Sequence, residues 1–96
     1  MFIHTVLFKI SPSQVNAYRR DSKIWARQAR KAKGFVAYFT MKRVNGQNEY
    51  ASVYEWKSQA CHNRFMERYH EELVAKSRAE VKVLGYFNLK AVDRLR

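Results

Sequence analysis

The sequence predicts an α+β domain of order βαββαβ: a four-stranded antiparallel sheet with two helices on one face. Three observations predict it. Apolar segments of strand and helix period alternate in that order along the 96 residues. Gly34-Phe35, Asn45-Gly46 and Trp56-Lys57-Ser58 punctuate them. The sheet so formed has an apolar face that two helices on its other side do not cover.

The first strand, Phe2 to Ile10, is apolar on both parities, with Phe2, His4, Val6, Phe8 and Ile10 on one face and Ile3, Thr5 and Leu7 on the other. Such a strand is covered on both sides. Ser11-Pro12-Ser13 then opens a helix, with Ser11 as N-cap and Pro12 at its first position. Val15, Tyr18, Ser22, Trp25, Ala29 and Ala32 form its apolar stripe, and Gly34 ends it as a left-handed cap. Phe35 to Arg43 and Gln47 to Trp56 are strands rich in aromatic and β-branched residues, joined through an Asn45-Gly46 hairpin turn. Ser58 caps a second helix whose stripe runs His62, Phe65, Met66, Tyr69, Leu73, and charge over Glu71 to Lys82 predicts fraying at its end. Val83 to Val92 returns as the fourth strand, and Asp93 to Arg96 is a polar tail. Residues 1–96 therefore read as one domain, and a chain of this size buries roughly 60–65% of its unfolded surface.

The helices are expected over Phe2, His4, Val6 and Phe8. The opposite face then presents Ile3, Thr5, Leu7, Val36, Tyr38, Ala51 and Val53. An exposed apolar face of that extent marks an interface, and the simplest cover is a second copy, giving a homodimer through the open sheet face.

Composition removes several classes. Apolar residues make up 47% and aromatic ones 15%, ample for a core and unlike a disordered chain. No apolar run approaches the ~20 residues of a membrane span, and the N-terminus reads as a strand rather than a signal peptide. Cys61 stands alone, which excludes an intrachain disulfide and a multi-cysteine zinc site and makes the cytoplasm the expected compartment. The net charge is +11, much of it in Arg19, Arg20, Lys23, Arg27, Arg30, Lys31 and Lys33. A solvated helix face is the default account of that run; nucleic acid stays open as a disfavoured partner.

Several marks together resemble the antibiotic-biosynthesis-monooxygenase-like family and its stress-responsive A/B-barrel relatives, within the dimeric α+β barrel superfamily. They are Ile3-His4-Thr5-Val6-Leu7-Phe8-Lys9 in the first strand, Gly34-Phe35, Trp56-Lys57-Ser58, and His70 fourteen residues after Trp56. The resemblance runs from Phe2 to Val92 and implies two ferredoxin-like protomers joined into a barrel, each with a ligand pocket between sheet and helices. For cofactor-independent, quinone-forming relatives it implies an asparagine in the third strand, the closing tryptophan and a tyrosine in the second helix. Here Trp56 matches, while Ser52 and His62 stand in the other two places. Haem-degrading relatives imply a first-strand asparagine, a second-helix tryptophan and a histidine as iron ligand, where this chain has Leu7 or Phe8, Phe65 and, as a loose fit, His70. A first-strand and a second-helix histidine, used as an acid/base pair by some cyclases of this superfamily, match His4 and His70.

His4, His70 and Trp56 are thus the candidate catalytic residues. A histidine titrates near neutrality, so within reach of a substrate it serves as both acid and base. Trp56 serves as a pocket wall. Val6, Phe8, Ser52 and Tyr54 on strands, with Trp25, His62, Phe65 and Tyr69 on helices, are the candidate substrate-binding residues. Each has a plainer account: half-buried histidines satisfied by a carbonyl, and aromatic stripes that are only core. No metal site is expected, and no cofactor, with haem a disfavoured alternative.

The sequence reading is a cofactor-independent monooxygenase acting on a small phenol, quinol or polyketide-like aromatic. A non-catalytic ligand binder or a histidine-pair cyclase is the alternative. RNA binding ranks lower. Lys33-Gly34-Phe35-Val36-Ala37-Tyr38-Phe39 resembles the strand signature of an RNA-recognition motif but opens the second strand rather than the third.

Overall fold

The computed structural model describes residues 1–95. Its elements are β1 (Phe2–Lys9), a short 3-10 turn (Pro12–Gln14), α1 (Val15–Arg30), β2 (Phe35–Lys42), β3 (Glu49–Trp56), α2 (Gln59–Lys76) and β4 (Lys82–Lys90). The strands pair antiparallel in the order β2-β3-β1-β4. This is the ferredoxin-like α+β fold. Among the described residues no helix is long and apolar enough to cross a membrane.

Residues opposed across a ladder share a face, so the register decides what the helices cover. β1 sets Phe2 against Trp56, His4 against Tyr54 and Val6 against Ser52. Phe2, Trp56 and Tyr54 join Ala29 of α1 and Phe65 and Leu73 of α2 in the buried core. On the other side, β4 sets Asn88 against His4 and Tyr86 against Val6. Tyr86 remains 66% exposed, which marks the edge of helix cover.

The helix boundaries follow from local chemistry. Gly34 closes α1 at φ +87, and its carbonyl accepts from Lys57 N at 2.8 Å, tying β2's start to the end of β3. The Ser58 hydroxyl accepts from Cys61 N at 3.3 Å and caps α2. That helix continues through its charged end to Lys76 instead of fraying at Glu71, because Leu73 is buried and Ser77 Oγ donates to Leu73 O at 2.9 Å.

Four expectations need correction. Tyr38 faces the helices, not the open side: a bulge between Phe35 and Ala37 shifts the ladder by one residue and pairs Tyr38 with Tyr54. Ala37, Phe39 and Met41 take the open face instead, opposite Glu55, Val53 and Ala51. The β2–β3 turn is longer than a two-residue hairpin, and Asn48, at φ 59, supplies the left-handed residue in place of Gly46. Ser11 makes no side-chain cap to the helix; its carbonyl accepts from Gln14 N to start the 3-10 turn. The fourth strand stops at Lys90, after which Ala91 N donates to Met1 O.

Candidate functional site

Between the helices and the sheet lies a cleft of about 340 Å³, at the small end of the ligand-pocket range. Its floor is built from alternate residues of two strands, Val6 and Phe8 of β1 with Ser52 and Tyr54 of β3. α1 contributes Tyr18 and Trp25, and α2 contributes His62, Phe65 and His70. Most of the lining is apolar, so the few polar groups in it are decisive.

Two histidines meet at one end. The His4 and His62 rings lie 4.5 Å apart, tilted by 32°. His62 also packs on Phe2 at 5.1 Å and faces Trp56 at 6.0 Å. Burial, and then the neighbouring His4 ring, push the His62 pKa from 6.5 down to about 4, so it stays neutral at physiological pH. His4 is held from the other side: its Nδ1 lies 2.6 Å from the amide oxygen of Asn88. An amide oxygen can only accept, so Nδ1 carries the proton and donates. The lone pair of Nε2 is then left as the basic site.

Next to this pair, Trp56 is 1% exposed and its indole Nε1–H has no partner among the described residues. Buried donors are nearly always satisfied. Trp56 also lines the cleft, as a wall beside the two histidines.

A hydroxyl cluster marks another polar point. The Tyr18 hydroxyl shares a hydrogen bond of 2.6 Å with Ser52, which also accepts from Tyr38 at 3.3 Å, and Tyr38 meets the Thr40 hydroxyl at 2.7 Å. Burial pushes Tyr18 up to about 12 and Tyr54 well above its usual range. Both remain neutral phenols, fit to hydrogen-bond but not to act as bases.

Residues 77–80 pass over α1 as a strap beside the cleft. Asp21, itself buried, accepts from Arg78 N at 2.9 Å and Ala79 N at 2.8 Å. Trp25 Nε1 donates to Ser77 Oγ at 2.9 Å, and Glu80 N donates to Gln14 Oε1 at 2.9 Å. Three side chains of α1 and its 3-10 entry thus hold the segment that leads into β4.

The sequence-derived residues distribute unevenly around this cleft. His4, Trp56, Val6, Phe8, Trp25, Ser52, Tyr54, His62 and Phe65 line it. His70 lines it too, but sits at an exposed position two turns along α2 from His62, edge-on to Trp25 at 5.9 Å. The ring stacked on His4 is therefore His62. Tyr69 lies outside the lining, packed on Phe65 with Arg68 over its ring. Sequence reasoning missed Asn88 and Asp21. Asn88 could have been found from strand parity, since antiparallel pairing of β1 with β4 brings a β4 residue opposite His4. Asp21 carried no signal, being an acidic residue in a helix otherwise rich in cations.

The model of the family described as antibiotic biosynthesis monooxygenase matches residues 1–80. The chain belongs to that family. Among curated proteins none matches. Solved structures share the fold of this family member at low identity. A candidate antibiotic biosynthesis monooxygenase from Deinococcus radiodurans is 13% identical with a TM-score of 0.81, over 100% of this chain and 97% of that one. Rv0793 from Mycobacterium tuberculosis is 14% identical with a TM-score of 0.73, over 99% and 98%. A mutant of MhuD with two manganese protoporphyrin IX bound per active site is 15% identical with a TM-score of 0.74, over 100% and 99%.

Proposed function

We propose that this family member is a cofactor-independent monooxygenase that converts a small phenolic or quinol-type aromatic, bound between sheet and helices, to a quinone. The observation that carries this reading is the convergence of His4, oriented by Asn88, and the Trp56 wall on one apolar cleft. His4 Nε2 takes the phenol proton, and the electron-rich ring carbon then attacks dioxygen. His4 returns its proton to the distal peroxide oxygen; loss of the C–H proton at the attacked carbon to His4 then cleaves the O–O bond, leaving the quinone carbonyl and a hydroxide that takes that proton to form water. Phenol and dioxygen are consumed; quinone and water are formed. Trp56 is the wall against which the aromatic ring packs, and neutral His62 keeps a second charge away from His4.

Haem fits these residues poorly. Leu7 lies on the open face, Phe8 and Phe65 offer the cleft no polar group, and His70 packs on Trp25. We further propose that two copies close a barrel through the open sheet face, where Phe39, Met41, Phe87 and Leu89 are each about half exposed around Ile3, Leu7 and Val53.

Oxygen uptake with a panel of anthrones and naphthols tests the chemistry. A productive substrate should lose about 10²–10⁴-fold in turnover on His4→Ala. Undiminished turnover in a His4→Ala/His62→Ala double variant would remove the mechanism. A single monomeric species in sedimentation at micromolar concentration would remove the barrel.

A further inference from the structure

Away from the cleft, the outward side of α1 carries charge that the chemistry above does not use. At 3.6 residues per turn, Arg19, Arg20, Lys23, Arg27, Arg30 and Lys31 fall within an arc of about 120°. All six are exposed, and they extend over roughly 18 Å of helix. The buried residues Tyr18, Asp21, Ser22 and Ala29 occupy the opposite side. Asn16, Arg19, Arg20, Lys23, Ile24 and Arg27 line a shallow open groove there. The only acidic residue of α1, Asp21, is turned inward to the strap and meets Arg20 alone, at 3.3 Å. Among the described residues the other five cations of the arc form no ion pair.

We propose that this face of α1 docks the phosphodiester backbone of nucleic acid, without reading its sequence. Four of the six cations are arginines, whose planar forks match phosphate oxygens in pairs. Turn-by-turn spacing lays them in a row that tracks a backbone. A lipid surface would need aromatic or aliphatic side chains exposed beside the cations; the large apolar residues of α1 are instead buried or half-buried, with only the half-buried Ile24 reaching the groove. An acidic protein partner would need an aromatic or aliphatic anchor at the centre of the patch, and the groove offers only the half-buried Ile24. Nothing in the face recognises a base edge, so affinity comes from charge and counterion release. The face lies on the far side of the helix layer from the open sheet surface, so it stays free whether or not two copies pair.

The test is fluorescence anisotropy with a labelled 20-base-pair DNA duplex of arbitrary sequence, titrated from 50 to 200 mM salt. If about four cations engage phosphates, the log–log salt slope is near −3.6 and affinity falls on the order of a hundredfold across that range. Arg19→Gln/Lys23→Gln/Arg27→Gln should make the slope shallower by nearly 3. Lys9→Gln/Lys82→Gln/Lys90→Gln removes equal charge from exposed positions off this helix and should leave it unchanged. Both triple variants keep the buried core, and circular dichroism checks each. Absence of duplex binding at 50 mM salt would overturn the proposal, as would equal weakening by the two triples. Tighter binding to phosphatidylglycerol vesicles or to polyglutamate than to the duplex would also overturn it, assigning the face to lipid or to an acidic protein. Oxygen uptake by the helix triple should stay at the unmodified level, which separates failure here from failure of the cleft chemistry.

Discussion

Replacing His62 with phenylalanine should flatten the acid side of the stability profile. The His62 imidazole is 7% exposed, packed on Phe2 and His4, and its pKa falls from 6.5 to about 4 on folding. Between those values the unfolded chain holds a proton that the folded chain refuses. Stability therefore declines as pH falls from about 6.5 and stops declining for this group below about 4. The shift corresponds to a ceiling of about 3 kcal/mol, of which about 2 kcal/mol is lost by pH 5. Urea denaturation of the unmodified chain and of His62→Phe, at intervals from pH 7.5 to 4.5, measures it. Carboxylates contribute to both curves alike, so the difference between the curves isolates the imidazole. That difference should move by about 2 kcal/mol from pH 7.5 to pH 5. Parallel profiles, or an NMR titration placing His62 above pH 6, would refute the assigned burial and the packing of His62 on His4.

Trp56→Phe removes a buried donor with no partner among the described residues, so only the lost ring volume should cost stability, about 1–3 kcal/mol by urea midpoint; a loss above about 5 kcal/mol would mean that the N–H is bonded in the folded chain. Gly34→Ala forces a side chain into left-handed backbone and against Cys61 Sγ; the urea midpoint should report a loss of about 3 kcal/mol, and a loss below about 1 kcal/mol would count against the turn geometry. Asp21→Ala frees Arg78 N and Ala79 N, costing about 2–3 kcal/mol. Trypsin should then cut after Arg78 faster than in the unmodified chain, and an unaltered rate would mean that the strap is held elsewhere.

The strands and helices were readable because their apolar periodicity and punctuation are local. Gly34, Ser58 and the alternation of β1 each state their own geometry within a few residues. Tyr38 was not readable, since one bulged residue between Phe35 and Ala37 reverses the parity of everything after it, and nothing in Phe35-Val36-Ala37 announces the bulge. Asn48 took the left-handed position because Glu49 pairs with Lys9 and Ile10 N bonds Asn48 O, a tertiary constraint that overrides the Asn45-Gly46 signal. Within the cleft, His4 and Trp56 could be placed from strand parity. The stacking of His62 on His4 depends on how α2 is rotated over β1, which is set by packing of Phe65 and Leu73 rather than by spacing alone. Asp21 illustrates the remaining gap. Its partners are backbone N–H groups 57 and 58 residues away, and backbone donors leave no trace in a sequence.

One rod joins two surfaces. Gln14, Asp21 and Trp25 grip the chain leading into β4 on the inner side of the first helical segment, while six cations stand on its outer side. A tilt of that rod must drag Ser77 to Glu80 with it, because the ties are short and spread over more than three turns of helix. Four hydrogen bonds thus make the first helix and the entry to β4 one piece, so neither can shift alone without breaking them.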